Sequence, residues 1–248
     1  MKERPILFNT EMVKAILDGR KTMTRRIIKF PINRFTKNIP IADNVSFRQI
    51  RSGKAYFNEE PFFGFDVKSP YSVGDTLYIR ETWYKDIGRY MYRASYSNQE
   101  KFYRDGKEIE MKWHPSIHMP KEAARIFLKV TDVRVERLQE MDCKDAMKEG
   151  VDPRLCINLK HTVVKFQKLW NSTIKKSDLE RYGWEANPWV WVIEFEQCEK
   201  PLECEFNGYD KAPDDGSGKC LGYMYDNEDA LIPMCEKCMY QASYESEE

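Results

Sequence analysis

The segment Gly19-Arg20-Lys21-Thr22-Met23-Thr24-Arg25-Arg26 has the residue types and spacing of a reactive site. It sets a lysine, a hydroxyl three residues on, and two arginines close together. Cationic neighbours and desolvation both favour the neutral amine on Lys21. A neutral lysine can take the proton from the Thr24 hydroxyl, which is a poor nucleophile at its free pKa. Arg25 or Arg26 can hold a carbonyl, a phosphate or a base edge by paired hydrogen bonds. The plainer reading of the same residues is a basic loop without catalytic work.

Arg80, Glu81 and Trp83 form a second group. Glu81 follows an apolar strand, where a carboxylate needs a partner. Arg26 or Arg80 can supply it, or Glu81 can bind the polar edge of a base. Trp83 can stack on that base or cover a rim salt bridge. The three histidines, His114, His118 and His161, lack metal-ligand spacing. His118, beside Met119-Pro120, can line a pocket or sit partly buried with a partner. Cys235-Glu236-Lys237-Cys238 is a Cys-x-x-Cys knuckle, and Cys204 and Cys220 can complete a tetrahedral zinc site. Cys198 could replace Cys204. A structural zinc would explain how an acidic, Gly/Asp-rich segment folds; free thiols in a loosely ordered tail are the alternative.

These residues need elements to hold them. Pro5 to Phe8 reads as a short strand. Asn9 or Thr10 caps a helix with apolar positions Met12, Val13, Ile16 and Leu17, and Gly19 ends it. Residues 30–72 show no clear periodicity and read as a long insertion or irregular loops. Strands resume at Thr76–Arg80 and around Tyr90–Ser95. Residues 98–112 read as a polar hairpin or loop. Ile126–Leu138 suggests a long, bulged strand. Asp142 caps a short helix that Gly150 ends. Val163, Val164, Phe166, Leu169 and Trp170 suit an amphipathic helix. Trp189–Phe195 is the strongest strand. The order lacks the βαβ rhythm of a doubly wound fold, and a small mixed barrel with helical elaborations fits better.

The 248 residues carry 40 Lys+Arg and 40 Asp+Glu, so the formal charge is zero. That zero is a cancellation. Residues 199–248 carry −9, and residues 1–198 carry +9. We therefore expect two regions: a barrel domain over 1–198, with an insertion near 30–72, and an acidic, Cys-containing tail over 199–248. The basic body keeps a polyanion among its candidate partners. At 42% hydrophobic and 13% aromatic the chain can bury a core, which argues against disorder. There is no long apolar run, so no membrane span is expected. The N-terminus lacks an apolar stretch of signal-peptide length, which points to a cytoplasmic protein with reduced cysteines.

Gly19, Lys21, Thr24 and Arg26 match the ASCH superfamily signature: glycine, any residue, lysine, two residues, an acidic or hydroxyl residue, any residue, arginine. The chain thus resembles a family of PUA-like β-barrels linked to RNA or nucleoside recognition. With threonine at position 24, and with Ile16-Leu17 before Gly19-Arg20-Lys21-Thr22, it is similar to the small bacterial N4-acetylcytidine amidohydrolases. That resemblance implies Lys21 as base, Thr24 as nucleophile and a glutamate as proton donor. The family glutamate lies on a short helix after the long central strand, which makes Glu149 the candidate. Larger ASCH proteins of phages and prophages share segments like Arg80-Glu81-Thr82-Trp83, Pro115-Ser116-Ile117-His118-Met119-Pro120 and Asn187-Pro188-Trp189-Val190-Trp191. The expected fold is α+β, a PUA-like mixed barrel with flanking helices and a small Cys-containing appendage. The expected substrate is a modified nucleoside or nucleic acid, RNA before DNA. Cleaving its N4-acyl amide needs a nucleophile, a base and an acid. It also needs an oxyanion stabiliser, for which Arg26 or a backbone N–H could serve. It needs no catalytic cofactor. The alternative is a non-catalytic RNA- or DNA-binding module reading a splayed base.

Overall fold

The computed structural model describes residues 2–32, 44–59, 63–86, 89–97, 99–104, 106–200, 223–225 and 231–233. The chain divides into two units, Met1–Glu199 and Lys200–Glu248. In the first unit the elements run β1 (Glu3–Leu7), α1 (Thr10–Leu17), β2 (Met23–Ile27), β3 (Val45–Arg51), β4 (Lys54–Glu59), β5 (Phe63–Lys68) and β6 (Thr76–Arg80). Then come β7 (Trp83–Asp86), β8 (Arg89–Tyr92), β9 (Phe102–Arg104), β10 (Lys107–Ile109), β11 (Phe127–Arg137), α2 (Cys143–Lys148), α3 (Leu159–Thr173), α4 (Leu179–Tyr182) and β12 (Trp189–Cys198). In the second unit, β13 (Tyr223–Tyr225) and β14 (Leu231–Pro233) pair antiparallel.

The protein is mixed α+β. Its main sheet has five strands in the order β1-β6-β11-β12-β2. β1 and β6 run parallel, and the other pairs are antiparallel. Alternation along β12 explains why this strand lies inside. Trp191, Ile193 and Phe195 enter one core, while Val190 and Val192 enter a second core on the opposite face. All five are buried, and each such side chain stabilises the fold by about 1.5–3 kcal/mol. β11 reaches the first core by a change of phase. Leu128 and Val130 point into it, the register shifts between Val130 and Asp132, and Val133 and Val135 pack against the same core.

The second core lies under α2 and α3, with Phe166 and Trp170 of α3 buried in it. Side-chain caps start all three of the helices that matter for the site. Asn9 accepts from Met12 N at 2.9 Å, Asp142 from Asp145 N at 2.8 Å and Asn158 from His161 N at 3.0 Å.

Three sequence expectations change. The region read as irregular loops contains the antiparallel meander β3-β4-β5. Its aromatics pack on one another and on Trp189; Phe57 lies 5.8 Å from Trp189 and 5.6 Å from Phe65. Burial alternates along β4 and β5, with Ala55 and Phe57 buried and Phe65 and Val67 half-buried between exposed Gly64, Asp66 and Lys68, but each run is short and the pairing of β3 shifts register between Phe47 and Gln49. The second half of the basic run, Arg25 and Arg26, is also not a loop: Met23–Ile27 is a strand that, among the described residues, pairs with β12 alone. Finally, the sheet is open where a closed barrel is expected. Among the described residues, its edge strands β1 and β2 do not pair. One side chain crosses the gap: Arg26 Nη2 donates to the Leu7 carbonyl at 3.0 Å.

Candidate functional site

Two helix ends back onto each other to build the site. After α1, Gly19 takes a positive φ of 71° and turns the chain. The N–H groups of Arg20 and Lys21 both return to the Ala15 carbonyl at 2.9 Å. Glu149 is the C-cap of α2, followed by Gly150 at φ 101°. A Cβ on Gly150 would stand 2.9 Å from Ala15 Cβ and 3.2 Å from Lys21 Cβ. Glycine therefore lets the two segments touch, and Lys21 and Glu149 form an isolated antiparallel bridge.

Lys21 Nζ donates to Glu149 Oε2 at 2.7 Å, to the Met23 carbonyl at 2.7 Å and to the Glu149 carbonyl at 3.0 Å. These are three acceptors for the three protons of an ammonium. The side chain is fully buried and lies 5.5 Å from the Phe8 ring centroid. Burial pushes the Lys21 amine below its ordinary value of 10.5. The Glu149 carboxylate opposes that shift, while Arg26 and Arg25 add to it. The amine whose proton burial loosens is thus held 2.7 Å from a carboxylate that faces the cavity.

Arg25 braces the acid. Its guanidinium reaches Glu149 Oε1 at 3.5 Å, Glu136 Oε2 at 3.1 Å and Asp145 Oδ2 at 2.7 Å. A cavity of about 190 Å³ opens beside this cluster. Thr24, Arg25, Arg26 and Glu149 line one side. Leu7, Asn9 and Met12 line another, and Phe166, Leu169, Trp170 and Thr173 of α3 complete it. The cavity thus occupies the region where the sheet fails to close, with α3 beside it.

Thr24, Arg25, Arg26 and Glu149 line that cavity; Lys21 pairs with Glu149 but does not line it, and neither do Arg80, Glu81, Trp83 or His118. Glu81 is buried, but its partner is Arg125 rather than Arg26 or Arg80. Arg125 Nε and Nη2 meet the two Glu81 oxygens at 2.8 and 3.1 Å. Arg80 donates to the Met119 carbonyl at 2.8 Å and to the Ile117 carbonyl. Trp83 packs with Tyr90 and His114 at 5.7 and 5.0 Å. His118 is exposed in a single 3-10 turn. The zinc candidates Cys204, Cys220, Cys235 and Cys238 lie outside the described residues. Among the described residues no group of three or more His, Cys, Asp or Glu side chains could hold a metal. No described helix is long and apolar enough to cross a membrane.

Several site residues gave little warning. Phe166, Leu169 and Trp170 look like one apolar helix stripe, which serves core and cavity alike. Asn9 looks like a helix cap, and it is one, but it also faces the cavity. A larger open groove, about 630 Å³, lies along β9 and β10. Its charged residues include the exposed pair Lys101–Glu108, and it has no buried acid or base to drive chemistry.

No protein-family model matches the chain, and neither a curated protein nor a solved structure matches it.

Proposed function

We propose that this protein is a PUA-like ASCH protein that binds one modified pyrimidine base in the cavity beside Thr24 and hydrolyses its N4-acyl amide. The observation that carries the proposal is the 2.7 Å contact between Lys21 and Glu149, which lie 128 positions apart, beside a cavity that Thr24 lines. In the neutral form of the pair, the Lys21 amine takes the Thr24 proton as Oγ bonds to the acyl carbon. Glu149 then gives its proton to the departing N4, and the C–N bond breaks. Water cleaves the threonine ester and releases the acid. Arg26 stands at the cavity wall as a cationic stabiliser for the oxyanion. The substrate is a nucleoside, free or within RNA, and the +9 charge of residues 1–198 suits the polyanion.

One observation favours a second reading, a non-catalytic base-binding module. All three Lys21 protons already have acceptors, as a purely structural ammonium would. Incubation with N4-acetylcytidine separates the two. The hydrolase reading expects cytidine release that falls by about 100-fold or more in Thr24→Ala. A folded, unmutated protein that releases no cytidine would leave only the binding module.

A further inference from the structure

The cavity wall contains main chain that no described residue pairs. Among the described residues, β2 is an edge strand whose one neighbour is β12. The ladder is anchored by Phe195 N to Thr22 O at 2.9 Å and by Ile28 N to Trp189 O at 3.0 Å. Thr24 and Arg26 lie between, opposite Ile193 and Trp191. The alternation of an antiparallel ladder then turns the main-chain groups of Met23, Arg25 and Ile27 to the open edge. The Met23 carbonyl confirms the direction, because Lys21 Nζ takes it at 2.7 Å.

Arg25 is the case that matters. Its side chain has no exposure at all, yet the residue as a whole keeps 3% and lines the cavity. The surface it gives the cavity is therefore main chain. Among the described residues no hydrogen bond involves the Arg25 N–H or C=O as donor or acceptor. Main-chain groups left without a protein partner at a cavity wall are open to a ligand that pairs both.

The two groups of one extended residue point the same way and ask for a donor beside an acceptor. The volume of about 190 Å³ lies below the roughly 300 Å³ at which pockets for drug-sized ligands begin, which suits a single ring. Phe166, Leu169 and Trp170 supply apolar wall for a flat ring.

We propose that the Arg25 N–H and C=O form a two-point main-chain clamp for the donor–acceptor edge of a single pyrimidine ring. The edge is an N–H beside a ring nitrogen or a carbonyl. The clamp adds a partner to the same site as the proposed hydrolysis, and it rests on that cavity being the ligand site. It places the ring in the cavity and leaves any sugar outside.

The test uses the full chain, ¹⁵N-labelled, with uracil and 1,3-dimethyluracil as probes. Neither probe has an acyl group, so the outcome does not depend on turnover. The clamp expects uracil to move the Arg25 amide proton downfield and slow its exchange. It expects dimethyluracil, which lacks the N–H donors, to bind about tenfold more weakly. Uracil binding that leaves the Arg25 amide unmoved would overturn the clamp, and so would equal binding of both probes. No binding of either at millimolar concentration would overturn it too. A moved Arg25 amide in a protein that releases no cytidine from N4-acetylcytidine keeps the clamp and removes the hydrolase.

Discussion

Glu149 and Glu81 are buried carboxylates of the first unit that each meet a cation, and of these two only Glu149 borders the cavity that holds Thr24. Glu149 is 4% exposed and meets Lys21; Glu81 is 1% exposed and meets Arg125. Burial does not separate them. The cations do. Arg125 grips both Glu81 oxygens and lies 4.1 Å over the Tyr92 ring. A guanidinium does not give up its proton in a protein, so the Arg125–Glu81 pair is a fixed clasp between β6 and the start of β11. An amine can give up its proton, and burial already pulls Lys21 that way. The difference teaches that burial alone does not mark a candidate site: Glu149 has a partner able to exchange a proton and a place on the cavity wall, and Glu81 has neither.

The largest expected effect comes from removing one cation at a time. Lys21→Met leaves Glu149 buried with Arg25 as its remaining cation, and we expect a loss of roughly 3–5 kcal/mol in urea unfolding. Arg125→Met should cost less, about 1–3 kcal/mol, because Arg125 is 29% exposed and water can reach its place. The double variant Lys21→Met/Glu149→Leu should recover much of the single loss, since it removes both charges. Equal losses for the two single variants would erase the distinction between the pairs.

A smaller effect separates them by pH. Lys21 sits below 10.5 in the folded protein, so just under pH 10.5 the unfolded chain holds more protons. Stability therefore rises with pH through that alkaline window. Burial pushes Glu81 above its ordinary 4.5, with Arg125 opposing. Just above pH 4.5 the folded protein holds more protons, so its contribution is full below 4.5 and fades as pH rises. Unfolding free energies across pH should lose the alkaline slope in Lys21→Met and the acid slope in Glu81→Gln. If either variant flattened the other's window, the assignment of the two pairs would fail.

How much of this could be read from residues alone depends on where the signal lies. The caps Asn9 and Asp142, the glycines at 19 and 150, and the alternation of β12 are local, and each marks a real boundary. They place Lys21 and Glu149 at the ends of two helices. Their contact is not local, because it depends on how α1 and α2 pack. The partner of Glu81 shows the same limit: Arg125 is 44 positions away, while the nearby Arg80 turns to the 117–119 backbone instead. β2 was hidden by its charges, for Arg25 is buried in spite of its type and is tolerated only through three carboxylates. The meander β3-β4-β5 was hidden because its alternation runs over only a few residues per strand and the register shifts in β3.

The smallest expected effect tests whether the second pair has any hidden share in ligand binding. Trp83 has the residue type of a base-stacking platform. It is instead tied to His114 by two main-chain bonds of 2.7 and 3.1 Å and packs against the core around Met119 and Phe127. Its indole N–H is buried with no partner among the described residues. Trp83→Phe removes that unpaired donor, worth about 1–3 kcal/mol. It also removes apolar contact at roughly 25 cal/mol per Å², and the two nearly offset. We expect a stability change within about 1 kcal/mol and uracil affinity within about twofold of the unmutated chain. His118→Ala, at an exposed position, should change neither. A tenfold loss of uracil binding in Trp83→Phe would mean that a ring stacks on the Trp83 side. The Arg125–Glu81 clasp would then border a ligand too, and the contrast between a closed pair and an open one would collapse.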